Sequence, residues 1–558
     1  MLDEVRSENP SAPQIAPHAS ADTRIGQFRQ ILLWPIELVP PNPDPLHHDY
    51  AALLAKLGPD NPWKVVDDEF TGDPKDFQER HYNEFVTFLP PVQRFLYGSS
   101  KSRVGSVSPE SPVTTFRRTD VASVRVVLTP CAKPVELKVA HVDLYFFYEI
   151  DVAILALELY SDDINLADAQ DVMFRLGRTH PAYWDKETGV AGHCPVKVEF
   201  LSDQGAVLAA SDFENRDKFL TQVCSKRAAR VAAHWQYLLD PLVPHHTDQA
   251  GTLRYKQLEY YRMPQMALIA VNPGSELTRA DYVRLAFASG PGDCSELPFS
   301  QRHLEDFEER YCYDRYFGQH NEIEWPQSRY MSCGHALVVT GSANNPFFVD
   351  PNHGCLNSFR HEHFLVFLIA HFHKAALLMF SDRLTGTMSR LDGNDKSAIL
   401  VFRTASRRAL QTFLRFTHRY WFHSVSNQTQ AHDIFELCRG HLEIDRLYED
   451  IRSEIQDMSN FLENDALRKQ SDTMMRLTVV TTLGLIGTTV TGFLGMNIID
   501  WASQTAPWRI EAFTIVLIPT IVLTLITIVK SRPLSDMMES LSDGTFRWFP
   551  WSQGKPRN

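Results

Sequence analysis

Thr473-Met-Met-Arg-Leu-Thr-Val-Val-Thr-Thr-Leu-Gly-Leu-Ile-Gly-Thr-Thr-Val-Thr-Gly-Phe-Leu-Gly-Met-Asn497 decides how this chain is read. Leu477 to Leu494 carries no charge. As an α-helix that run covers about 27 Å, close to the hydrocarbon thickness of a bilayer. It is also rich in threonine, at 478, 481, 482, 488, 489 and 491. Lipid alone gives such hydroxyls no use, whereas a wet pore does. A second apolar run, Ile510 to Val529, follows a short loop and is followed by Lys530 and Arg532. The two runs read as a membrane hairpin behind a largely soluble chain.

On a helix, Met474, Leu477, Thr481, Leu485, Thr488 and Gly492 recur at steps of three and four and share one face. Two readings of that face are open. It packs a neighbouring helix, with Thr488 and Gly492 permitting close approach. Or it lines a pore, with Met474, Leu477 and Leu485 as dewetting constrictions and the threonines as polar rings between them. Asn497 offers a neutral carbonyl oxygen, which suits a hydrated ion that sheds water reluctantly. It also reads as an ordinary helix C-cap.

Gly495-Met496-Asn497 between two spans, with basic residues after the second, resembles the CorA superfamily of divalent metal-ion transporters. Met474, Arg476, Leu477 and Thr478 resemble that family's inner pore entrance, and Thr488 and Gly492 fall where its pore helix has threonine and glycine. The resemblance implies a homopentamer, with five copies of the first span around an axis and Gly495, Met496 and Asn497 as the selectivity motif. It implies Mg2+ as the transported ion, with Zn2+, Co2+ or Ni2+ as alternatives, and no catalytic residue. Lys530 and Arg532 resemble the basic collar of the inner pore mouth; plain positive-inside anchoring explains them equally well. The outer loop departs from magnesium-transporting members, which often carry an acidic cluster there. Only Asp500 is present, with Glu511 at the start of the next helix. A non-conducting, membrane-anchored sensor is the reading from a different class.

The totals agree with this organisation. At 558 residues the chain exceeds one compact core. A net charge of −13 argues against nucleic acid, whose phosphates need clustered Lys and Arg. The N-terminus has no apolar core and no basic start, so it is not read as a signal peptide. Arg468, Lys469, Arg476, Lys530 and Arg532 flank the spans, against Arg509 alone in the loop, so both termini are expected in the cytoplasm of a bacterial inner-membrane protein. The eight cysteines lack paired spacing and suggest a reducing compartment.

In order, residues 1–24 read as a mobile tail and 25–380 as a cytoplasmic α/β domain. Strands are expected at 28–39 (interrupted by Pro35), 121–128, 134–139, 144–160 (two, joined near Asp151), 197–208, 266–271 and 336–340, and helices at 50–57, 165–176, 278–287 and 303–317. Residues 381–472 read as helical, ending in a stalk. Leu437, Ile444, Ile451 and Met458, with Tyr448, Ile455 and Leu462, repeat at heptad spacing. No proline lies between Ala431 and Ala506, so one helix is expected from Ala431 to Leu494, about 96 Å long. The spans are 473–497 and 510–530, the loop 498–509, and a cytoplasmic tail 531–558. Stalk acids such as Glu436, Glu443 and Asp457 read first as a solvated face. Cys333-Gly-His335 and His353-Gly-Cys355 have zinc-like composition without a standard zinc spacing, so core histidines are the favoured explanation.

Overall fold

The computed structural model describes residues 23–39, 50–57, 61–66, 78–98, 112–147, 149–259, 261–272, 276–293, 296–318, 327–389, 396–495 and 505–529. The chain divides into two compact units, 1–455 and 456–558.

The first unit is built on one large mixed sheet. Its main path runs Cys312–Tyr316, Ser328–Ser332, Ala336–Ser342, Gln265–Val271, Arg24–Val39, Val152–Ser161, Val135–Phe147, Ser123–Val127, Lys197–Leu201, Val207–Ala210. Arg24–Val39 is the spine. It pairs along one edge with Val152–Ser161 and along the other with Gln265–Val271 and then Arg254–Gln257. Pro35 lies within this strand because the second edge is open there. Pairing with 265–271 ends at Leu32 and pairing with 254–257 begins at Ile36, so the missing N–H is not needed. The strand is therefore continuous where proline suggested an interruption.

Valine-rich 134–139 is the front half of a longer strand, Val135–Phe147, with a register shift between Val139 and His141. It forms a hairpin with Val152–Ser161 around Asp151, as the sequence suggests. Helix Leu166–Arg175 is capped by Asn165, whose side-chain oxygen accepts from Asp168 N at 2.7 Å. Helix Arg279–Ala286 starts with a reciprocal Thr278/Asp281 capping box. The main core includes Phe28, Trp34, Phe116, Leu155, Leu157, Phe200 and Trp235. Trp235 and Tyr255 meet Trp34 edge-on at 6.2 and 6.0 Å.

Two expectations change. Residues 303–317 are helical only at Gln301–Leu304 and Phe307–Tyr311; Cys312–Tyr316 is an edge strand. The run Tyr311-Cys-Tyr-Asp-Arg-Tyr316 has the aromatic content of a strand, and pairing with Ser328–Ser332 outweighs a helical pattern. The long stalk helix is also interrupted. Helix Thr429–His441 ends, Glu443 adopts φ +51°, and a new helix runs Ile444–Gly495. Gly440 lowers the cost of stopping there without any proline.

Helix Glu362–Met388 is apolar and long enough to cross a bilayer, yet most of it is buried inside the first unit. It is a core helix. Its histidines explain the run of His in the sequence: His363, His371 and His373 are buried, and His373 Nε2 lies 2.7 Å from Tyr420 O. Burial holds His363 down to about 4 and His373 to about 3. The heptad stripe is buried at Ile444, Ile451, Ile455 and Met458, and Tyr448 stacks on Trp421 at 4.3 Å.

Candidate functional site in the C-terminal hairpin

Helix Ile444–Gly495 contains the whole described part of the first apolar run, and helix Ala506–Val529 contains the second. The second begins at Ala506, four residues before the expected boundary, and passes through Pro519. Its stretch Ala506–Leu523 is long and apolar enough to span a bilayer.

The two sides of the first apolar helix differ. Val479 is buried at 5% exposure, and Leu483, Gly487 and Thr491 are half-buried at the following steps of four. An added Cβ at Gly487 would meet Thr520 Cγ2 at 2.9 Å, so this side faces the second helix. The residues expected to share a face lie on the other side. Met474, Leu477 and Leu485 are 59%, 64% and 69% exposed. Thr481, Thr488 and Gly492 are exposed with them, and a Cβ on Gly492 would meet nothing within 4 Å. Within one chain, then, the shared face exists and does not pack against the other helix of the hairpin.

The threonines correct part of the sequence argument. Thr478 donates to Met474 O, Thr481 to Leu477 O, Thr482 to Thr478 O, Thr488 to Gly484 O and Thr491 to Gly487 O, at 2.5–3.0 Å. A hydroxyl bonded back to its own helix needs no water, so threonine content alone does not require a wet surface. The same bond fixes polarity. With its proton turned to the backbone, each hydroxyl presents lone pairs outward, as an acceptor suited to a hydrated cation. Gly495 closes the described helix; Met496, Asn497, Asp500, Lys530 and Arg532 lie outside the described residues. Glu511 is exposed near the start of the second helix.

The cysteine and histidine pairs do not assemble. Cys333 Sγ lies 3.4 Å from His335 Nδ1, His353 is exposed and Cys355 is buried. Among the described residues no three His, Cys, Asp or Glu are arranged to hold a metal. Burial raises the Cys333 thiol to about 11 and lowers His335 to about 3. The seven described cysteines are all free.

This arrangement defines a class: a sheet-rich domain followed by long helices and a C-terminal apolar hairpin. Residues 403–530 match the family described as "CorA-like Mg2+ transporter protein", and this segment of the chain is CorA-like. The match takes in the helices from 403 onward and both apolar helices; the sheet lies outside it. Among solved structures, the CorA magnesium transporter from Methanocaldococcus jannaschii aligns at 13% identity over 50% of this chain and 93% of that one, with a TM-score of 0.18. The full-length CmaX protein aligns at 12% identity over 49% of this chain and 94% of that one, with a TM-score of 0.16. No curated protein matches the chain.

Proposed function

We propose that this protein is a channel-like transporter of divalent cations across a bacterial inner membrane, with Mg2+ as the expected ion. The family match over 403–530 supports divalent-cation transport. The observation that carries the pore reading is the exposed face of Met474, Leu477, Thr481, Leu485, Thr488 and Gly492, opposite the side that meets Thr520. In a homopentamer five such faces surround an axis. Gly495, Met496 and Asn497 form the selectivity motif at one end, and the apolar rings gate by dewetting. Inside-negative potential favours inward cation movement. Both termini are cytoplasmic, and Lys530 and Arg532 form the basic collar. The protein acts on lipid-embedded ion flow and carries out no covalent chemistry.

The sparse acids of the outer loop, Asp500 and Glu511, fit either weaker attraction of cations or a different metal, and Zn2+, Co2+ or Ni2+ is the second reading. Flux into proteoliposomes under an inside-negative potential tests both. Mg2+ and Zn2+ are offered separately to the full chain and to Asn497→Ala. Flux that the substitution abolishes or renders unselective supports the pore and identifies the ion. No flux from folded, oligomeric protein would replace this reading with a non-conducting membrane-anchored sensor.

A further inference from the structure

The first unit holds a cavity of about 610 Å³, well away in sequence from the hairpin. Its floor is one face of the central sheet. Side chains two residues apart on a strand share a face. His141 pairs across to Glu158, and Glu158 to Ile31. In the next row Arg117 pairs to Asp143, and Asp143 to Ala156. A face that only met a core would carry apolar residues here. The walls come from helices Glu79–Thr87 and Pro90–Tyr97 and from the junction at Arg360 and His361.

The hydrogen-bonding capacity of this lining is one-sided. Its three acids are already engaged. Asp143 accepts from Arg117 Nε at 2.6 Å and Nη2 at 2.7 Å. Glu158 accepts from Arg360 Nε at 2.6 Å and Nη2 at 3.2 Å. Glu84 accepts from the Tyr97 hydroxyl at 2.5 Å and lies 3.1 Å from His361 Nδ1. Donors remain. Arg80 lines the cavity with no acid in ion-pair range among the described residues; its Nε meets His81 Nε2 at 3.4 Å. Nη1 of Arg117 and Nη1 of Arg360 are outside the bidentate pairs. At Asp143 and Glu158 a cation would have to displace an arginine from its carboxylate, whereas an anion can use N–H groups that are still open. Beside these groups the lining has hydroxyls at Thr114, Thr115 and Tyr145 and an apolar part formed by Val65, Leu96, Val113, Phe364, Leu365 and Leu368. The volume lies in the range of small-molecule sites, which combine an apolar body with a few placed polar groups.

We propose that this cavity binds a small organic anion, its carboxylate or phosphate held by Arg80 with the open edges of Arg117 and Arg360, and its compact apolar body against Leu96, Phe364 and Leu368. The site goes beyond ion transport and stands whether or not the hairpin conducts.

Isothermal titration calorimetry on the full chain in nanodiscs tests it, with empty nanodiscs as the blank. The probes are 1-naphthyl phosphate and 1-naphthoate, which share a body and differ in headgroup; 1-naphthol is the neutral control. At least one anion should bind saturably with one site per subunit, and 1-naphthol should give only the blank signal. Arg80→Gln should weaken binding about tenfold or more, and Thr115→Trp, which fills the cavity from the floor, should remove it. Circular dichroism and the melting temperature confirm that each variant is folded. The relative affinity of the two anions tells whether phosphate or carboxylate is preferred. The proposal is overturned if neither anion binds, if Arg80→Gln binds both as tightly as the parent, or if 1-naphthol binds as tightly as the anions.

Discussion

Gly487 and Thr520 meet across the C-terminal hairpin: a Cβ on the glycine would stand 2.9 Å from the threonine's Cγ2. The contact is to a methyl on a β-branched side chain, which has little freedom to turn away. Gly487→Ala should therefore destabilise the hairpin by about 1 kcal/mol, and Gly487→Val by about 1–3 kcal/mol, the range for overpacking. Thr520→Ser deletes that methyl and keeps the hydroxyl. It should restore most of what Gly487→Ala loses. Thermal unfolding in detergent of the two single variants and the double variant measures the coupling. Additive effects would mean that the two residues do not touch.

Leu485 should behave differently from Val479, although both are apolar and lie on one helix. Leu485 is 69% exposed and Val479 is 5% exposed. If the exposed face lines a pore, Leu485→Thr wets an apolar ring and should raise ion flux several-fold with little change in melting temperature. Val479→Ala should lower the melting temperature and leave flux per folded protein unchanged. Proteoliposome flux beside thermal unfolding separates the two; equal behaviour of both variants would remove the distinction between the faces.

His234 makes an acid-sensitive point in the core. It is fully buried among Phe200, Phe213 and Trp235, and neither ring nitrogen has a hydrogen-bond partner among the described residues. Burial lowers it to about 3, with Asp212 opposing weakly. Between pH 6.5 and about 3 the unfolded chain binds a proton that the folded chain does not. Stability from this residue is thus present above pH 6.5 and is lost as pH falls, by up to about 1.4 kcal/mol per pH unit. His234→Phe should remove that slope. Relative to the parent, it should gain about 2 kcal/mol between pH 7.5 and pH 5. Unfolding followed at both pH values checks this; parallel pH profiles would show that His234 takes up its proton in the fold as readily as in the unfolded chain.

The hairpin was legible because its signals are local. The shared face of Met474 to Gly492 follows from helical steps alone, and the apolar run sets its length. The sheet was only partly legible. Its strands were visible as short apolar runs, but joining Arg24–Val39 to Gln265–Val271 depends on pairings more than two hundred residues apart. The break at Leu442 and Glu443 depends on one backbone angle that proline counting does not detect. The charged floor was hidden for another reason. Arg117, His141, Asp143 and Glu158 sit at alternating positions in valine- and leucine-rich strands, where each reads singly as a solvated side chain. Only the register brings them together.

Arg383 ties the core helix to the sheet, and removing it should cost more than an ordinary surface ion pair. Its Nε meets Glu37 at 2.8 Å and its Nη1 meets Asp151 at 2.6 Å, so one guanidinium serves the spine strand and the adjoining hairpin turn. Glu37 is buried, and burial raises its carboxyl despite the arginine. Lys256, at 4.0 Å from Glu37, is too distant to replace a bidentate partner. Arg383→Met leaves two carboxylates without their shared cation and should destabilise the first unit by about 3 kcal/mol. Arg383→Lys keeps the charge but reaches one acid at a time, so it should lose roughly half as much. If uncompensated charge is the cause, Glu37→Gln in the Arg383→Met background should recover stability even though it restores no bond. Chemical unfolding of the full-length variants in detergent measures all three. A further loss in the double variant would show instead that the packing of the arginine stem, and not its charge, holds the helix in place.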